Sequence, residues 1–202
     1  MLKKVPRQER SRAMVEDILS AATRVLSERP LRAVNTNLMA EVAGVSIGSL
    51  YQYFDSKQAI VQTLVERHRH NCLVLADAVL VDGSGQRMID RSRTVLRELL
   101  ALHERERTLH ASFTEGHNVF SALATAEHAE HARRFATHLA GEFPYLSGAA
   151  SLVHAQALMR IINTMIHGAL MLPSHRLDRA VVEHFDTFAA GYFRALEGRA
   201  SS

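Results

Sequence analysis

Apolar residues recur along this chain with the period of an α-helix, and nowhere is the two-residue alternation of a strand sustained. Val15, Ile18, Leu19, Ala22, Val25 and Leu26 fall at i, i+3, i+4, i+7, i+10 and i+11, one face of a helix that must stop before Pro30. A short helix is predicted over 37–43, a turn at Gly44-Val45, a third helix over 46–54, and a long fourth that opens at Asp55-Ser56 and reaches about residue 80. Asp82-Gly83-Ser84-Gly85 breaks the pattern. Further helices are expected over 86–106, over 112–143 with an interruption near Gly116, over 149–172 and over 177–197, with breaks at Pro144, Gly148 and Pro173-Ser174-His175. The expected fold is therefore all-α, about nine helices in total, with an N-terminal arm and three-helix unit in 1–58 and a helical bundle over 59–202.

Thr36 to Lys57 reads as a helix-turn-helix because each marker has a physical reason. Ala40 is small where two crossing helices must approach, and Gly44 supplies the left-handed backbone of a tight turn. Ser46 is placed to cap the next helix, while Val45, Leu50 and Phe54 face inward and lock it. Ile47, Gly48, Ser49, Tyr51, Gln52 and Tyr53 are expected on the outward face. That set suits DNA. Ser49 and Gln52 can hydrogen-bond base edges in a major groove, Ile47 can touch a thymine methyl, and Gly48 allows close backbone approach. Tyr51, Tyr53 and Lys57 can donate to phosphates, as can Thr36 or Asn37 with the N–H groups of their helix start.

The run Ala43-Gly-Val-Ser-Ile-Gly-Ser-Leu-Tyr-Gln-Tyr-Phe-Asp-Ser-Lys57, preceded by an amphipathic helix, closely resembles the TetR/AcrR family of transcription regulators. The resemblance in motif covers about residues 13–65 and is architectural beyond them. It implies a homodimer that binds double-stranded DNA at a palindromic operator, usually represses nearby genes, and lets go when a small molecule occupies the C-terminal body. Family contacts to DNA would fall on Thr36, Ser46, Ile47, Gly48, Ser49, Tyr51, Gln52, Tyr53 and Lys57. Ser49 stands where many members carry threonine and keeps the hydroxyl, whereas Asn37 stands where an apolar residue is commoner.

Charge sharpens the division. Residues 1–70 hold 11 Lys+Arg against 7 Asp+Glu, a net +4, and 71–202 hold 13 against 14, a net −1. Lys3, Lys4, Arg7, Arg10 and Arg12 form a basic arm suited to phosphates or a minor groove. No apolar run reaches the roughly 18 residues of a membrane span, and the basic N-terminus does not lead into the apolar core of a secretory signal, so a cytoplasmic protein is expected. The single cysteine, Cys72, leaves no internal disulfide and suits a reducing compartment. No nucleophile motif, phosphate-binding glycine loop or His-Glu-x-x-His occurs, so no enzymatic activity is expected.

The body is less legible. The closing helix carries Val181, Phe185, Phe188, Tyr192 and Leu196 on one broad stripe, and the helix before it Leu158, Ile161, Ile162 and Met165. A dimer interface is expected from Leu158, Ile162, Met165, Val181, Phe185, Phe188 and Tyr192. A pocket for an unidentified organic effector is expected around Phe113, His117, Phe120 and Met165. Of 12 histidines, His110 and His117, His128 and His131, and His131 and His138 stand at helical spacings, with a second loose group at His68, His70 and Cys72. Flanking Glu127, Glu130, Arg133 and Arg134 read as an ordinary solvated face, so no metal and no cofactor are assigned. Two alternatives stay open: a helical DNA-binding regulator with no small-molecule ligand, and a metal-responsive regulator.

Overall fold

The computed structural model describes residues 8–83, 85–106, 126–146, 148–170 and 177–199. Among them lie eight α-helices and no strand: α1 (Glu9–Glu28), α2 (Thr36–Ala43), α3 (Ile47–Tyr53), α4 (Lys57–Asp82), α5 (Met88–Arg105), α6 (Ala126–Glu142), α7 (Gly148–Leu170) and α8 (Leu177–Arg199). A 3-10 turn at Leu31–Ala33 separates α1 from α2. The all-α expectation holds; the interruption foreseen near Gly116 lies outside the described residues. No helix among the described residues is long and apolar enough to cross a membrane.

The chain divides into two compact units. In the first, the α1 stripe foreseen from periodicity is buried, with Ile18, Ala22 and Leu26 fully enclosed against Met39, Ala40, Leu50 and Phe54. Ile60, Val61 and Leu64 from α4 complete this core, so the N-terminal unit runs past residue 58, as far as Asn71. Placing a residue such as Leu50 or Phe54 in this enclosure stabilises the unit by about 1.5–3 kcal/mol relative to exposure. Arg67 on α4 closes the unit from outside, donating to both oxygens of Glu16 on α1 at 2.7 and 2.6 Å.

In the second unit α5 packs against α6, α7 and α8, and α6 runs along α7. Its core joins Leu96 and Leu99 from α5, Phe135 and Leu139 from α6, Leu158 and Ile162 from α7, and Phe185 and Phe193 from α8. Glu142 at the end of α6 accepts from the Met88 N–H at 2.6 Å and so satisfies an open donor at the start of α5. Arg93 on α5 donates to Asp186 on α8 at 2.8 Å.

Candidate nucleic-acid interface

Local signals build the α2–α3 hairpin. Asn35 caps α2, its side-chain oxygen accepting from the Leu38 N–H at 2.9 Å. The cap falls one residue before Thr36 and was not singled out in the sequence, although an asparagine three residues ahead of its partner N–H is the signal that could have found it. Gly44 ends α2 at φ 67°, the left-handed conformation a β-carbon disfavours, and the Val45 N–H reaches back to the Ala40 carbonyl at 3.0 Å. Ser46 then caps α3, accepting from the Ser49 N–H at 3.0 Å, and the two hydroxyls share a hydrogen bond of 2.8 Å. Ser56 repeats the device for α4, its hydroxyl accepting from the Ala59 N–H at 3.2 Å.

The hairpin sorts the predicted contact residues into three groups. Ile47, Gly48, Tyr51 and Gln52 are exposed together, at i, i+1, i+4 and i+5 of α3. Beside them, the Thr36 hydroxyl of α2 shares a hydrogen bond of 3.0 Å with the Tyr51 hydroxyl, setting both at the start of α2; Thr36 and Ser49 are half-buried, and Asn37 and Ser46 exposed. Tyr53 is a correction. Expected outward, it is 8% exposed and packs with Leu50 and Phe54, because positions i, i+3 and i+4 of a helix share a face. Lys57 is a second correction: its ammonium donates to the carbonyls of Leu31 at 2.8 Å and Val34 at 2.7 Å, clamping the turn before α2 instead of standing clear for a phosphate. Those carbonyls lie more than twenty residues back in sequence, so no local pattern announced the clamp. Arg10 and Arg12 are exposed on the first turn of α1, and Lys3, Lys4 and Arg7 of the basic arm lie outside the described residues.

Residues 18–64, from within α1 to the first turns of α4, match the family model of bacterial regulatory proteins, tetR family. The regulator EthR of Mycobacterium tuberculosis is 40% identical over 50 residues, which make up 25% of this chain and 23% of EthR. The transcriptional repressor KstR2 of Rhodococcus jostii is 39% identical over 49 residues, 24% of each chain. The matched stretch thus spans about a quarter of these relatives' length. Likeness of fold runs further: a solved structure from Mesorhizobium loti, assigned to the TetR family, aligns with a TM-score of 0.69 over 93% of this chain and 98% of its own, at 16% identity. The chain belongs to the TetR family. Its relatives named here are transcription regulators, not enzymes.

In the body of this TetR-family chain the predicted residues fare differently. Leu158, Ile162 and Phe185, expected at a dimer interface, are 0%, 4% and 0% exposed and belong to the chain's own core. The stripe was read as one surface, but it wraps wider than one face and its centre is spent inside the bundle. Met165, Val181, Phe188 and Tyr192 are half-buried at the margin of that core. The Tyr192 hydroxyl pairs with the His154 imidazole at 2.5 Å, and burial, with Tyr145 nearby, raises its pKa. Phe113, His117 and Phe120 lie outside the described residues. On α6, Glu130, Arg133 and Arg134 do form the expected solvated ion pairs, with Arg133 chiefly lowering the Glu130 carboxyl. His131 between them turns inward instead, 5% exposed, its Nδ1 2.6 Å from Asp77.

Proposed function

We propose that the protein is a sequence-specific DNA-binding transcription regulator that acts as a cytoplasmic homodimer on a palindromic operator and represses until a small organic molecule occupies its body. The observation that carries DNA binding is the face of α3. Ile47, Gly48, Tyr51 and Gln52 stand exposed on a seven-residue helix whose opposite side is locked by Leu50, Tyr53 and Phe54, a rigid base under a polar reading face. Gln52 is suited to adenine, Ile47 to a thymine methyl, and the Thr36–Tyr51 pair to one phosphate beside the start of α2. Repression is proposed from the resemblance to KstR2, whose name states it.

Dimerisation is supported by the half-buried Met165, Val181, Phe188 and Tyr192 together with Val153, which is 63% exposed on α7. Phe113, His117, Phe120 and Met165 stand as the proposed effector lining. Gel shift on the DNA flanking the protein's own gene tests the core of the reading. Tyr51→Ala and Gln52→Ala are each expected to weaken specific binding by about tenfold or more, the scale of a lost base or phosphate contact of about 1–3 kcal/mol. Equal retention by both variants overturns the assignment of α3. A monomer by light scattering at micromolar concentration overturns the dimer.

A further inference from the structure

We propose that the body holds a transition-metal site, best matched to Zn2+, built on Cys72 of α4 and His103 of α5, with His68 joining from the preceding turn of α4 and His167 of α7 alongside. His103 is the decisive residue. It is 4% exposed, and its Nδ1 lies 2.8 Å from the Leu99 carbonyl. A carbonyl only accepts, so Nδ1 carries the proton, and in the neutral ring Nε2 carries the lone pair. This arrangement orients metal-ligating imidazoles, whose second nitrogen is held by a backbone carbonyl or a carboxylate.

A ring nitrogen of His103 and the half-buried Cys72 sulfur lie within 4.8 Å of one another. Four residues earlier on the same helix, a ring nitrogen of His68 lies within 4.8 Å of that sulfur. The His68 Nδ1 faces the Glu106 carboxylate at 2.5 Å, the second form of the orienting contact. Donor atoms around a tetrahedral zinc stand about 3.5 Å apart, so small side-chain rotations close the set. The His167 ring meets that of His103 edge-on at 5.5 Å between centroids. Two imidazoles on one tetrahedral ion stand about 5 Å apart by the same measure, so His167 is in range of the fourth position.

The donor set selects the ion. Two or three imidazoles and one thiolate suit zinc and its borderline or soft neighbours, and disfavour magnesium and calcium, which take oxygen ligands. The sequence showed His68 and Cys72 a turn apart but not His103, some thirty residues further on and on another helix. Such an ion would cross-link α4 and α5, giving the body an input besides an organic ligand.

Metal titration of the purified full chain tests the site without reference to DNA, so its outcome is separate from that of the regulatory reading. Expected are one Zn2+ per chain, a rise in melting temperature on loading, and with Co2+ the intense bands of tetrahedral coordination plus a thiolate charge-transfer band. Cys72→Ser is expected to remove the charge-transfer band and sharply weaken uptake while leaving the circular dichroism spectrum unchanged. Glu106→Gln, a positioning change, is expected to weaken affinity by about 10–100-fold. The exposed His70→Gln is the control and should change nothing. No uptake, an octahedral cobalt spectrum, or unaltered binding in Cys72→Ser overturns the proposal.

Discussion

In the N-terminal unit the side chains with hydrogen-bonding chemistry, Thr36, Ser49, Tyr51 and Gln52, lie at or near the surface of α2 and α3. In the C-terminal unit Asp77, Arg91, His131 and Arg134 are bound to one another or to backbone. Arg91 is 9% exposed and donates to the carbonyls of Gln86 at 3.1 Å and Leu80 at 3.2 Å. A surface hydroxyl or amide can trade water for a base or phosphate with little net loss, whereas a buried guanidinium depends on fixed partners. The contrast separates a face available for recognition from a network that holds helices in register.

The largest effect should come from breaking the buried network. Arg91→Ala strips donors from two carbonyls, and urea unfolding should show a loss of about 3 kcal/mol, whereas Gln52→Ala should stay within about 0.5 kcal/mol. Similar losses for the two would erase the contrast.

A smaller effect sharpens it from the other side. A β-carbon at Gly48 meets only the Ser46 hydroxyl, at an ordinary 3.8 Å. Gly48→Ala should therefore raise stability by about 0.5–1 kcal/mol by favouring the helix, yet lower operator affinity because the added methyl stands where the DNA approaches. Unchanged affinity would mean that the backbone at Gly48 does not come close to DNA.

The smallest effect is a pH dependence in the body. Desolvation, with the charge of Arg91 assisting and that of Asp77 opposing, lowers the pKa of His138 below the usual 6.5. The unfolded chain then takes up the proton first, so this contribution is present above pH 6.5 and is lost as the pH falls through the lowered folded value. Unfolding followed from neutral to mildly acidic pH should show stability declining, and His138→Gln should flatten that slope.

What the linear sequence determined is the recognition hairpin and the helical character of the chain, because these rest on interactions within a few residues. A left-handed turn needs Gly44, a cap needs Ser46 three residues ahead of the N–H it serves, and a buried face needs Leu50 and Phe54 at helical spacing. By the same spacing rule Tyr53 could have been placed inside. Only the tertiary structure decided that Lys57 clamps the turn before α2, that Leu158, Ile162 and Phe185 stay within the chain's own core, and that Cys72 meets His103. Each of those pairings joins residues twenty or more positions apart, and their meeting depends on how helices pack, for which helical periodicity supplies a face but not a partner.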